Sequence, residues 1–149
     1  MKIRDLLNLK DFKYRVVVTV KPDEAVSAAI KKLIEHDRGS LSVCNDKGEL
    51  VGIITERDIV RKCFTRSGEL DRIKVRDVMT KQVAIGIPED DLDYAIDIMK
   101  KKRIRHLPIV DNQKVVGMIS MRDLLGVQYE ETRAEIRYAG LLSKRPRFS

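Results

Sequence analysis

Two hydroxyl–carboxylate pairs hold the residue types best suited to chemistry: Thr55 with Asp58, and Ser120 with Asp123. Each pair has the same spacing and starts three residues after a glycine, Gly52 or Gly117. A short apolar run precedes each hydroxyl and another follows each acid, so both pairs fall where a strand turns into a helix. Two chemistries suit that junction. The hydroxyl and acid can cap the first helical turn reciprocally. Alternatively, the acid can accept hydrogen bonds from a vicinal diol while the free N–H groups of the helix start receive a phosphate. Capping boxes prefer the longer Glu or Gln as the reciprocal partner, so Asp is expected to reach the cap less well and to face outward. The two roles are compatible.

Arg57 and Arg122 sit between hydroxyl and acid, in the first helical turn. A cation there opposes the helix dipole by about 0.3–1 kcal/mol, so either a phosphate or a neighbouring acid is expected to hold it. The densest basic run is Lys100-Lys101-Lys102-Arg103-Ile104-Arg105-His106. Its first four cations suit a helix carboxyl end and need no further role. Arg105 and His106 lie beyond that end and are candidates for anion contact, whereas His36 reads as a surface helix residue.

Catalysis finds no support. GxSxG, P-loop and GxGxxG motifs are missing, as is any His/Cys spacing for a metal, and the two histidines face no convincing nucleophile. A non-enzyme is expected, with no metal and no required cofactor. Cys44 and Cys63 are too few for a disulfide framework and read as plain thiols. The 149 residues, 43% hydrophobic, suit one domain with a real core, and no apolar run approaches the roughly 18 residues of a membrane span. The charged start at residues 1–5 has no signal-peptide character, so a cytoplasmic location is expected. A net charge of +7 favours anionic partners without choosing among them, and the 36% charged fraction also suits an ion-paired surface.

The elements that must position the two pairs also occur twice. Residues 2–7 are echoed at 74–79, and a proline, Pro22 or Pro88, follows each of two expected strands at 16–20 and 82–87. Val26, Ala29, Ile30 and Leu33 recur at helical spacing, as do Leu92, Ala95, Ile96 and Met99. A second strand (41–44, 107–110), a hairpin-like turn and a third strand (50–54, 115–119) then lead to each hydroxyl. The prolines are 66 residues apart and the glycines 65, so one residue, read as Gly48, is lost from the second turn. Residues 11–15 form a polar excursion without counterpart in the second copy. The organisation expected is repeat 1 at 1–63, a linker at 64–73, repeat 2 at 74–127, and a carboxyl-terminal helix with a basic tail at 128–149. The helix falls at 129–138 and the tail at 144–149.

These features together, the doubled Gly-x-x-[Thr/Ser]-x-x-Asp ending, the paired prolines and the His106-Leu107-Pro108-Ile109-Val110-Asp111 strand, resemble the tandem cystathionine-β-synthase (CBS) domain pair, or Bateman module, over residues 2–126. The resemblance implies an α/β fold of two β-α-β-β-α repeats related by a pseudo-twofold axis and packed sheet to sheet. It implies two clefts for adenosine-containing ligands, with Asp on the ribose hydroxyls and Thr or Ser on ribose or phosphate. One cleft would combine Thr55, Arg57 and Asp58 with Val83, Ile104, Arg105, His106 and Pro108. The other would combine Ser120, Arg122 and Asp123 with Val17, Arg38, Ser40 and Ser42. Gly39 and Ser40 are uncharged where the second copy has Arg105 and His106, so the first cleft is expected to suit phosphorylated ligands better.

The function expected is an adenine-nucleotide sensor, with AMP, ADP or ATP as regulatory ligand, acting through a homodimer or a regulated protein partner. The alternatives are an interaction module with no physiological ligand, an S-adenosylmethionine binder, and a nucleic-acid binder. The last is disfavoured because the basic run lacks interleaved aromatics and no helix-turn-helix signature is present.

Overall fold

The computed structural model describes residues 1–128 and Ala139. The helix expected at 129–138 and the tail at 144–149 lie outside the described residues. Two short helices, α1 (Ile3–Leu7) and α2 (Lys10–Lys13), begin the chain. The first repeat follows as β1 (Thr19–Val20), α3 (Val26–Glu35), β2 (Ser40–Cys44), β3 (Leu50–Thr55) and α4 (Glu56–Cys63). After a 3₁₀ turn at Phe64–Glu69, the second continues as α5 (Val75–Val78), α6 (Leu92–Lys102), β4 (His106–Asp111), β5 (Lys114–Ser120) and α7 (Met121–Gln128).

The result is a mixed α/β structure with a three-stranded sheet, β1-β2-β3, and a two-stranded one, β4-β5. β1 runs parallel to β2, and both hairpins are antiparallel. Asn112 and Gln113 make the tight turn of the second hairpin with φ of 50° and 68°, the left-handed pair that matches strand twist. The first turn is longer and places Gly48 at φ 80°. Helices α3 and α6 bury the stripes that the spacing predicts, Val26, Ala29 and Leu33 in one and Leu92, Ala95 and Met99 in the other.

Two expected strands are shorter than the residue pattern suggests. Val16 and Val17 leave the sheet and are exposed, so β1 begins only at Thr19. Residues 82–87 form no strand, and only Gly86 bridges Ile109. Gly86 donates to the Pro108 carbonyl at 3.0 Å and accepts from Val110 at 2.9 Å, but Pro108 has no N–H to offer the carbonyl of residue 84. Ser42 stands at the equivalent place in the first repeat and can donate there.

The apolar side chains form two cores, and the opening helices are exchanged between them. Ile3 and Leu6 of α1 are fully buried with Leu107, Ile109 and Ile119 of the second repeat, and Val75 and Val78 of α5 pack with Leu41, Val43 and Ile54 of the first. Backbone bonds fix the exchange. Ile3 and Arg4 donate to the carbonyls of Asp90 and Pro88, each at 2.8 Å, while Val75 and Arg76 donate to Glu24 and Pro22 at 2.9 and 3.0 Å. The orphan N–H groups of two helix starts are satisfied this way by the opposite half of the sequence. The exchange also explains the repeated glycines. An added Cβ on Gly52 would stand 2.7 Å from the Met79 sulfur and 3.0 Å from the Thr80 carbonyl, and one on Gly117 would stand 3.0 Å from Leu7.

The stretch at 64–73 is more than a linker. Val26 and Ser27, which start α3 without a side-chain cap, donate to the carbonyls of Ile73 and Leu70 at 2.8 and 3.0 Å, and Ile73 joins the first core. Among the described residues no helix is long and apolar enough to cross a membrane, and no group of His, Cys, Asp or Glu is arranged to hold a metal. Both cysteines are buried and unpaired, and burial pushes their thiols up, against Arg66 and Lys62 in the case of Cys63, which disfavours the thiolate.

Candidate functional site

Both strand-to-helix junctions form complete capping boxes, despite the short acid. Thr55 Oγ1 accepts the Asp58 N–H at 3.0 Å and Asp58 Oδ2 accepts the Thr55 N–H at 3.1 Å. At the second junction Ser120 Oγ accepts the Asp123 N–H at 3.0 Å and Asp123 Oδ2 accepts the Ser120 N–H at 2.8 Å. Asp therefore reaches the cap, contrary to the expectation from its length, and one carboxylate oxygen of each acid is committed to the fold.

The remaining oxygens differ. Asp58 Oδ1 receives the Thr80 hydroxyl at 3.2 Å and lies 3.4 Å from the Lys62 ammonium, which also donates to the Val78 carbonyl at 2.7 Å. That oxygen is tied to neighbours on α4 and just beyond α5. Asp123 Oδ1 is held instead by Arg15, at 3.1 Å.

A cavity of about 840 Å³ opens at the second junction, lined by Ser120, Met121, Arg122 and Asp123 and by residues 16–18, 36–40, 42 and 115–118. It gathers Val17, Arg38, Ser40, Ser42, Ser120, Arg122 and Asp123, the set grouped for one cleft from the sequence. Arg105 and His106 line this same cavity, together with Glu56. The sequence pattern groups Arg105 and His106 with Thr55 and Asp58, whereas in the structure they line the cavity at Ser120 and Asp123. The amino ends of β2 and β4 meet face to face, so that a Cβ on Gly39 would lie 3.2 Å from the His106 ring. Thr55, Arg57, Asp58, Val83, Ile104 and Pro108 do not line the cavity. Pro108 is buried in its sheet and Arg57 is exposed at the surface.

The lining also holds residues that the sequence pattern does not single out: Leu7, Phe12, Lys13 and Arg15 of the opening segment, the acids Asp37 and Glu56, His36, which reads from the sequence as a surface helix residue, and residues of β5. For the opening segment the available signal was the polar excursion at 11–15, which the second copy lacks. It reaches this cavity because α1, just before it, packs into the second core.

Charge and hydrogen bonding give the cavity its chemical character. Five cationic side chains face it (Lys13, Arg15, Arg38, Arg105, Arg122) against three carboxylates (Asp37, Glu56, Asp123), so its formal charge is +2 with both histidines neutral. Ser40 is 5% exposed, and among the described residues its hydroxyl has no hydrogen-bond partner. A buried hydroxyl without a partner carries a desolvation cost of about 1–3 kcal/mol, which a polar ligand group in the cavity would relieve. The arrangement suits a ligand with an anionic end and hydrogen-bonding hydroxyls.

Burial pushes the His106 imidazole below its ordinary pKa of 6.5; the carboxylates of Asp123 and Glu56 oppose the shift and Arg105 adds to it. A histidine depressed in the folded state favours folding fully only above its unfolded value, and that contribution fades as pH falls through about 6.5 toward the folded value. The melting temperature is therefore expected to fall on acidification from about pH 7 to 5.5, and to fall less in His106→Gln. Identical pH profiles for the two proteins would contradict this placement of the ring.

The CBS domain family model matches residues 9–64 and 75–130. An uncharacterized protein of Methanopyrus kandleri, MK0525, is 40% identical over 116 residues, covering 76% of this chain and 59% of that protein. The chain thus spans about six-tenths of that relative's length. Among solved structures, a putative signal-transduction protein with CBS domains from Burkholderia ambifaria superposes with a TM-score of 0.81 at 31% identity, covering 92% of this chain and all of that one. The CBS domain pair of protein MJ0100, solved in complex with 5′-methylthioadenosine and S-adenosyl-L-methionine, gives a TM-score of 0.75 at 25% identity, covering 89% of this chain and 98% of that one. The doubled junctions, the two cores and these matches have one meaning: the chain belongs to the CBS domain family and contains two CBS domains in tandem.

Proposed function

We propose that the chain is a regulatory module that binds a phosphorylated adenosine compound, AMP, ADP or ATP, in the cavity at Ser120 and Asp123, and passes occupancy to a partner surface. The observation that carries this reading is the cavity's combination of net positive charge, a helix-start carboxylate and the unpartnered Ser40 hydroxyl. A diol can be taken by Asp123, while phosphate is favoured by Arg38, Arg105 and Arg122 and by the helix start. The ligands in the MJ0100 structure support an adenosyl core. The +2 lining favours a phosphorylated ligand over the uncharged methylthioadenosine or the sulfonium of S-adenosylmethionine. No cofactor and no catalysis belong to this reading.

The test is thermal shift against AMP, ADP, ATP, adenosine, S-adenosylmethionine and NAD. A ligand at a hundred times its Kd stabilises the native state by about 2.7 kcal/mol, which is easily read. No shift with any adenosyl compound would overturn the reading. A nucleic-acid role would instead appear as steeply salt-dependent retention on DNA.

One further observation favours an interaction surface. Ile34, Val60 and Phe64 are 75%, 67% and 73% exposed, large apolar side chains on the surface of the described residues. We propose a homodimer that buries them, with a regulated protein as a further partner. Light scattering is expected to report a dimer at tens of micromolar (roughly the range of weak association). A monomer there, or a dimer unaffected by Ile34→Glu and Val60→Glu, would contradict it.

A further inference from the structure

Arg15 connects three features that the family-level reading leaves unexplained: an excursion in only one repeat, a carboxylate whose free oxygen is already taken, and a cavity rich in cations. Its guanidinium donates from Nη1 to Asp123 Oδ1 at 3.1 Å and from Nε to the Asp11 carbonyl at 3.1 Å, and lies 4.0 Å from the centre of the Phe12 ring. Phe12 in turn packs against the second core, so the arginine is aimed from a fixed base. The Arg15 side chain is 34% exposed, and the residues that follow it, Val16 and Val17, stand outside the sheet at the cavity edge, so the guanidinium has open space on one side.

Asp123 Oδ2 belongs to the helix cap, so a ligand hydroxyl approaching this acid must compete for the oxygen that Arg15 holds. At Asp58 the equivalent oxygen is held by Thr80 and by a lysine that is itself anchored to the Val78 carbonyl. Of these partners, Arg15 is the one that lines the cavity together with its carboxylate, where an entering ligand meets both. A neutral nucleoside that displaces Arg15 leaves a guanidinium without its carboxylate. A nucleoside phosphate supplies a new anion in the same cavity.

We propose that Arg15 is a residue that selects phosphorylated over unphosphorylated nucleosides: it pairs with Asp123 in the free protein and transfers to the ligand phosphate when the ligand hydroxyls take Asp123 Oδ1. This rests on the adenosine-ligand reading above and adds to the cavity's other arginines one residue, outside the repeated motif, that exchanges its partner when phosphate arrives. The guanidinium keeps a charge-assisted partner in both states, so the exchange costs little when phosphate is present.

Calorimetric titration of AMP and adenosine into wild type and Arg15→Ala tests the assignment. Wild type is expected to prefer AMP by at least about tenfold, in line with one charge-assisted bond. In Arg15→Ala, adenosine is expected to bind several-fold tighter, because Asp123 is freed, and AMP about tenfold weaker, so the preference narrows to what the other arginines supply. Adenosine binding only to the variant would also support the exchange. An unchanged AMP-to-adenosine ratio, with both ligands binding both proteins, would overturn the role of Arg15 and leave the adenosine reading standing. No binding of either ligand to either protein would overturn both. Melting curves of the two unliganded proteins provide the folding control, and a collapse of Arg15→Ala would count against an exchangeable contact.

Discussion

Leu6→Ala is expected to destabilise the protein by about 2–5 kcal/mol, the usual range for truncating a fully buried leucine. Leu6 is six residues into the chain, yet its side chain is 0% exposed inside the second core, among Leu107, Ile109 and Ile119. The cavity left by the substitution would lie beneath β4 and β5 and beside α6. Hydrogen exchange should therefore lose protection first in residues 92–120, with β2 and β3 better preserved. Loss concentrated in residues 40–55 instead would mean that α1 packs with the first repeat and that the exchanged arrangement is wrong. Denaturant unfolding gives the magnitude, and a change below about 1 kcal/mol would equally contradict full burial.

Asp123→Ala is expected to weaken binding of a phosphorylated adenosine ligand by about 1.5–3 kcal/mol, roughly ten- to a hundredfold, whereas Asp58→Ala should leave that affinity nearly unchanged. Both substitutions remove half of a capping box, so each should also lower stability, by about 0.5–2 kcal/mol. The difference lies in the second oxygen. In Asp123 it faces the cavity and, among the described residues, is shared only with Arg15, whereas in Asp58 it is occupied by Thr80 and Lys62. Calorimetry on both variants checks this directly. Equal affinity losses would show that the two junctions bind alike, and no loss in Asp123→Ala would reduce its carboxylate to a helix cap.

Much of this arrangement is legible in the residue order because it depends on short-range rules. The apolar spacing of Val26, Ala29 and Leu33 and of Leu92, Ala95 and Met99 determines which helix faces turn inward. The two hydroxyl–carboxylate pairs fall at strand-to-helix junctions, as the flanking apolar runs require, and the pairing of Asn112 with Gln113 in a tight turn follows from the missing residue. The limits of local reasoning appear where one element's backbone depends on another. The strand expected at 82–87 is reduced to one bridge at Gly86 because its neighbour across the sheet is Pro108, and nothing within 82–87 records that.

The sequence by itself determined two CBS repeats, their helix faces and the place of both hydroxyl–carboxylate pairs at strand-to-helix junctions, since each is a matter of residue type and spacing within about ten positions. Tertiary structure alone decided which residues gather in the cavity at the second junction. Exchange of α1 and α5 between the cores carries Arg15 across a separation of 108 residues to Asp123, and the meeting of β2 with β4 brings Arg105 and His106 to the same place. Those contacts arise from burying apolar surface and satisfying helix-start N–H groups between distant segments, a balance with no local periodicity to read.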